Sequence, residues 1–276
     1  MSLSLAILST MLFAIATFLT KGVTLKISIY KGIGPLFILN AIFAIPLIPY
    51  GPQWKLWEGS ILYLHIAGAI ASALGAGVIF MMISRSTASV GTLATSLSPA
   101  IVLLAGPIFL GTSIALTQIL TIVILFFATS IPLRNTVSGL GSLITISLLI
   151  FTSTMNGLIT IVVSLLFEEG VGVTEIFIVR QILAGSIFMI IFPPTDLDWS
   201  DFLLLLRRSI FASLGWISSI YAIQLGSAVV VQSVMATIPI WVILIEIIAY
   251  KKRPSQGLIF SSVIIVIGIY VLVHTS

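Results

Sequence analysis

Charge is what this chain has least of. Its 276 residues include 12 Lys and Arg and 8 Asp and Glu, 7% of the total, against 59% hydrophobic residues and a mean hydropathy of +1.28. A soluble domain of this length needs more charge than that, so the composition implies an α-helical integral membrane protein. The short alternating segments of a membrane β-barrel are absent. There is no Cys, which removes disulfides, thiolate chemistry and Cys-based metal sites. His65 has no ligand partners at metal spacing and reads as an interface or hydrogen-bonded residue. No His-Glu-x-x-His, Gly-x-Ser-x-Gly or phosphate-binding Gly-rich loop occurs, and Gly75-Ala76-Gly77 has no strand before it. These absences predict no enzyme activity, no cofactor and no metal site. The net charge of +4 comes without a basic run long enough for nucleic acid.

What the chain does have is apolar stretches of bilayer length. Ten spans are predicted at 2–20, 32–50, 60–83, 87–110, 113–132, 139–166, 173–192, 206–225, 228–249 and 256–274. Span 1 lacks a basic leader and a small-residue cleavage site, so it reads as a retained helix. The longest connection, Pro193 to Arg207, carries Asp196, Asp198 and Asp201, which read as solvated, with Trp199 at headgroup depth. A stripe of small residues, Gly68, Ala71, Ser72, Gly75 and Ala76, predicts tight packing of span 3 on a neighbour.

One pattern occurs twice at an offset of 140. Ala88, Val90, Pro99, Val102 and Leu104 recur as Ala228, Val230, Pro239, Val242 and Leu244. Phe37 and Phe177, Ile38 and Ile178, Ala44 and Ala184, and Gly75 and Gly215 keep the same offset. Half the chain is 138 residues, so the repeat covers nearly all of it: 1–135 and 136–276, five spans each, in one compact membrane unit. Five is odd, so the second copy crosses the bilayer in the opposite sense. The charges agree. Lys21, Lys26, Lys31, Arg85, Arg134, Arg207, Arg208, Lys251, Lys252 and Arg253 lie in or beside odd-numbered linkers, while the even ones hold Lys55 with Glu58, Glu168 and Glu169. The positive-inside rule then puts odd linkers in the cytoplasm and both termini outside a cell (plasma or inner) membrane. A doubled, inverted unit with an interrupted helix in each half is the sequence mark of a transporter. Its partners would be the lipid bilayer and a small-molecule substrate. Ten helices complete the inverted pair, so a monomer suffices, with a dimer left open.

The stretch from Ile79 to Leu104, with Ser86-Thr-Ala-Ser-Val-Gly-Thr-Leu and Ser98-Pro99, resembles the third-to-fourth helix signature of the drug/metabolite transporter superfamily. Tyr221 to Pro239 is similar to the same signature in the second half, and the match is to the EamA-type, ten-helix branch. The resemblance implies export or facilitated transport of small metabolites, amino acids or drugs. Lys21 and Arg180 fall where that family often has basic residues. Departures are Phe13 in place of a usual Trp, Asn40 in place of a common Arg, and Gly111-Thr-Ser where an acidic-basic pair often follows helix 4.

Pro99 and Pro239 lead the candidate site residues, because a proline inside a membrane helix leaves the carbonyl four residues earlier, at Thr95 and Met235, in need of a partner. Thr95, Ser98, Asn156, Gln232 and Thr237 are the polar candidates for substrate contact, against the plainer role of helix-to-helix hydrogen bonding. Trp216, Tyr221 and Trp241 are candidates for an apolar wall, against ordinary core or belt packing. Arg180 would attract a carboxylate or phosphate, or pair with Glu175. Glu246 is the coupling candidate, against an ion pair with Lys251 at the helix end. The reading is a secondary transporter of amphipathic solutes, amino acids included, working by alternating access about a cavity of spans 1, 3, 4, 6, 8 and 9. Two alternatives stand beside it: a non-transporting scaffold or lipid-binding subunit, and a membrane-embedded transferase. The lack of an acidic cluster and of any extramembrane domain disfavours the last.

Overall fold

The structure, a computed structural model, describes residues 1–50, 54–111, 114–133, 141–251 and 254–274, and all regular structure among them is helical. The helices are α1 (Ser2–Lys26), α2 (Ile29–Ala44) running into a 3-10 turn (Ile45–Tyr50), α3 (Ile61–Arg85), α4 (Ala88–Leu93), α5 (Ser98–Phe109) and α6 (Leu116–Leu133) in the first half. The second half holds α7 (Ser142–Glu168), α8 (Val173–Ile191), α9 (Trp199–Gln224), α10 (Ala228–Met235), α11 (Ile238–Tyr250) and α12 (Gln256–His274). Counting α4–α5 and α10–α11 each as one broken span, eight spans are long and apolar enough to cross a membrane, and shorter apolar helices lie within α6 and α12. With no water at bilayer depth to satisfy a peptide group, helices are what such runs must form.

The packing repeats as the sequence does. In repeat terms α1 answers to α7 and α3 to α9, and α1 packs extensively on α9 as α3 does on α7: one pair met twice. Helix α2 packs on α8 and α6 on α12, each an element against its own repeat partner. This is the contact pattern of a pseudo-two-fold, all-α fold of ten spans in two inverted halves. Glycines set the close approaches. A Cβ on Gly75 would stand 3.2 Å from the Met155 side chain of α7, and one on Gly215 3.3 Å from the Phe13 ring of α1. The small-residue stripe of α3 therefore packs on α7, where Gly68 also faces Val162.

Boundaries depart from the expected ones in two places. Helix α1 continues six residues beyond Thr20, to Lys26. Helix α9 begins at Trp199, not near 206, because Asp198 and Asp201 form a capping box: Asp201 N donates to Asp198 Oδ1 at 2.8 Å and Asp198 N to Asp201 Oδ2 at 3.4 Å. The connection from Pro193 thus ends at Asp198, and Arg207 and Arg208 are helical residues. Of its acids, Asp196 adopts a left-handed φ of 66° and binds Lys31 at 2.9 Å. That hydrogen bond holds its carboxyl below the usual range, and the Asp201 amide does the same for Asp198. Arg134, Lys252 and Arg253, used for the charge bias, lie outside the described residues, as do Thr112 and Ser113 of the linker after span 4.

Candidate functional site

Both prolines mark breaks, but not in the expected way. They are not mid-helix kinks. Pro99 and Pro239 sit in the first turn of α5 and α11, where a missing amide proton costs nothing and φ is already helical. The interruptions lie just before them, at 94–97 and 236–237. Nearby side chains then supply the freed backbone. Ser153 Oγ of α7 donates to the Ala94 carbonyl at 2.7 Å, and Ser98 Oγ to the Thr95 carbonyl at 2.7 Å. In the second half Thr237 Oγ1 donates at 2.7 Å to the Val234 carbonyl, which also accepts the Thr237 amide at 3.0 Å, and not to the Met235 carbonyl expected from Pro239. Local hydroxyls thus let two spans stop and restart at membrane depth.

Between the two broken spans lies a central cavity of about 150 Å³. Its lining comes from α1, α2, α3, α4–α5, α7, α8, α9 and α10–α11; no described residue of α6 or α12, which pack on each other, takes part. All six of the spans expected around the cavity are there, joined by α2 and α8. The polar part of the wall is an amide and hydroxyl network. Gln232 Nε2 donates to Thr160 Oγ1 at 2.8 Å, and Asn40 Nδ2 to Gln181 Oε1 at 3.3 Å. Asn156 turns Nδ2 back to the Thr152 carbonyl at 3.0 Å, which leaves its amide oxygen without a described donor. The apolar part centres on Trp216, whose ring meets Phe13 edge-on at 5.0 Å.

Of the sequence candidates, Thr95, Ser98, Asn156, Trp216 and Gln232 line this cavity. Pro99, Tyr221, Thr237, Pro239 and Trp241 do not: the prolines are buried in packing, and Tyr221 is 38% exposed on the outer face of α9. Trp241 packs against the Phe13 and Val242 cluster. Arg180 lies one layer behind the wall. It is 3% exposed, its guanidinium stacks over Trp216 at 4.5 Å, and none of its three nitrogens has a described hydrogen-bond partner. Glu175, offered as its partner, instead takes the Lys55 amide at 2.9 Å and stands 3.6 Å from His65 Nε2. Among the described residues no three His, Asp or Glu gather as a metal site.

Glu246 finds a partner that sequence reasoning missed. Rather than Lys251, it takes the N-terminus of α4: Ala88 N at 3.0 Å, Ser89 N at 3.4 Å and Ser89 Oγ at 2.5 Å. From the other side Lys21 Nζ donates to the carbonyls of Ile83, Ser84 and Ser86 at 2.9, 3.2 and 2.6 Å. A cation on α1 and an anion on α11 therefore clasp the α3–α4 turn, each matched to the sign of the helix end it meets.

Also missed was Arg208: the charge pattern places it beside an odd-numbered linker, at the start of span 206–225, whereas it lines the cavity as the tenth residue of α9. The signal was present: an Asp followed three residues later by an acid, ahead of Phe202 and four Leu, is a helix start.

Comparison with known proteins agrees with this architecture. The model of the EamA-like transporter family matches residues 1–133 and again 143–274. No curated protein matches the sequence. A solved crystal structure titled only as that of a protein is similar in fold, with a TM-score of 0.68 and 16% identity over 97% of this chain and 93% of that one. With both halves matched, the chain belongs to the EamA-like transporter family: it is a multi-pass membrane transporter of small solutes.

Proposed function

We propose that this chain exports small amphipathic solutes, amino acids among them, by alternating access about the central cavity. One observation carries the reading: a single cavity is walled by elements of both inverted halves and flanked by both helix breaks. Rocking one half against the other would expose it to each side in turn. The substrate's polar group would meet Asn156, Gln232, Thr95 or Ser98, and its apolar body Trp216. Arg180 would act through Trp216 and not by contact. The clasp on the α3–α4 turn holds one end of the bundle together. Glu246 remains the coupling candidate there, since a protonated carboxyl would loosen its hold on the α4 amides. The protein would act as a monomer in the cell membrane with both termini outside, as its charge bias supports.

Flux into proteoliposomes, across a panel of amino acids, carboxylates and hydrophobic amines, tests the reading. Uptake of at least one class above protein-free vesicles is expected. No flux for any solute, by protein that remains folded, would overturn it. A pH-gradient dependence that survives Glu246→Gln would remove Glu246 from coupling.

A further inference from the structure

We infer that the cavity selects solutes that carry a carboxylate and that Arg208 is the residue that binds it. The inference deepens the transport reading and rests on this cavity being the substrate site. Among the described residues Arg208 is the one charged side chain in the lining, and no described acid accompanies it. Its posture is set from two sides. Nε donates to Thr20 Oγ1 of α1 at 3.2 Å, and the guanidinium lies 5.2 Å from the centre of the Phe80 ring of α3. That leaves the two terminal nitrogens with no described hydrogen-bond partner, and no described carboxylate lies within ion-pair distance. Two parallel donors with no partner, at the edge of a cavity, are the fork that a carboxylate fits in bidentate fashion.

The surroundings favour the same sign. Arg180, one layer back over Trp216, is a second cation without a described counter-charge. A membrane-buried cation is costly and usually faces a partner. An anionic solute would relieve that cost, while an amine would meet amide and hydroxyl oxygens and aromatic rings but no described carboxylate. The geometry also allots a place to the rest of the solute. Arg208 and Trp216 are eight residues apart on α9, hence on one face and about 12 Å apart along the axis, with the small, buried Ala212 between them. A carboxylate at Arg208 thus extends an apolar body along the cavity towards Trp216 and Phe13. Organic monocarboxylates fit this wall better than zwitterions, whose ammonium has no acid to meet.

Three solutes with one body and different heads test this: 4-phenylbutyrate, 4-phenylbutyramide and 4-phenylbutylamine. Binding to the purified full chain in nanodiscs is read by tryptophan fluorescence, with Trp216→Phe assigning the signal to the cavity. Wild type should bind the carboxylate about tenfold or more tighter than the amide, with the amine weakest. Arg208→Gln should erase that preference while amide binding changes little. Arg208→Lys should retain part of it, and Arg207→Gln, on the exposed neighbour, all of it. Equal binding of carboxylate and amide by wild type would overturn the inference, as would a preference that survives in Arg208→Gln. Flux of the same solutes separates the two readings. Flux without carboxylate preference sinks the role of Arg208 alone, and carboxylate-selective binding without flux sinks transport alone.

Discussion

The two ends of the bundle are built from the same turn and closed by different chemistry. At one end the α3–α4 turn (Ser86–Thr87) is gripped by Lys21 through three carbonyls and by Glu246 through two amides and a hydroxyl. At the other, the equivalent α9–α10 turn (Gly226–Ser227) has no such charges: the repeat positions of Lys21 and Glu246 are Ile161 and Gly106. Near that turn a neutral bond is found, Ser2 Oγ to the Ala222 carbonyl at 2.8 Å. A carrier needs two ends that do not open together. Here the scaffold is symmetric and the strength of closure is not; on the proposed alternating-access reading, that difference would bias the bundle towards staying shut at the charged end.

Breaking the clasp should have the largest effect. Glu246→Ala leaves the α4 amides and Lys21 without their anion, and we expect a loss of about 2–4 kcal/mol in stability, read by reversible unfolding in bicelles. Ser2→Ala at the neutral end should cost about 1 kcal/mol or less. Equal costs would erase the contrast between the ends.

The scaffold, by contrast, should respond symmetrically. Gly75→Val and Gly215→Val each push a side chain into a contact already at 3.2 or 3.3 Å, and each should destabilise by about 1–3 kcal/mol. A difference of more than about 2 kcal/mol between them would show that the halves are not packed alike.

Pro99→Ala and Pro239→Ala should come next. At a first-turn position proline makes no indispensable contact, so stability should shift by about 1 kcal/mol or less. Transport should fall further than surface expression, because the helices regain freedom to run through the breaks. Loss of expression alone would make the prolines packing residues.

The smallest effect is expected at the surface. Asp196 and Asp198 have carboxyls held below their ordinary value of 3.8. A carboxylate depressed in the folded state lends stability above its unfolded pKa, and that support fades as pH falls below about 3.8. Hydrogen exchange at the amides of Asp201 and Phe202 should therefore quicken, relative to the intrinsic rate, as the α9 cap protonates. Asp198→Asn should blunt this pH dependence while leaving that of the Lys31–Asp196 pair intact.

Much of this molecule was legible beforehand, and the rest was hidden for identifiable reasons. Spans were legible because the bilayer demands ~20 apolar residues for each crossing. The helix breaks were legible because proline declares itself in sequence, although its place in the first turn of the next helix was not. Arg208 was hidden by an apolarity criterion that reads Arg207-Arg208 as a boundary, when the Asp198 cap starts the helix nine residues earlier. Tyr221, Trp241 and the prolines share helices with cavity residues but face elsewhere, and apolar spans surrounded by lipid and protein carry no strong periodicity to tell those faces apart.

By itself the sequence determined the ten spans, their doubling and the inverted order of the halves, because hydropathy, repeat offset and an odd span count are properties of the chain alone. Only the tertiary structure decided which charge meets which helix end. Lys21 and Glu246 lie 225 positions apart and meet across one turn, and Arg208 faces a cavity built by eight spans. Such partnerships depend on how the helices are rotated and packed, which no local pattern encodes.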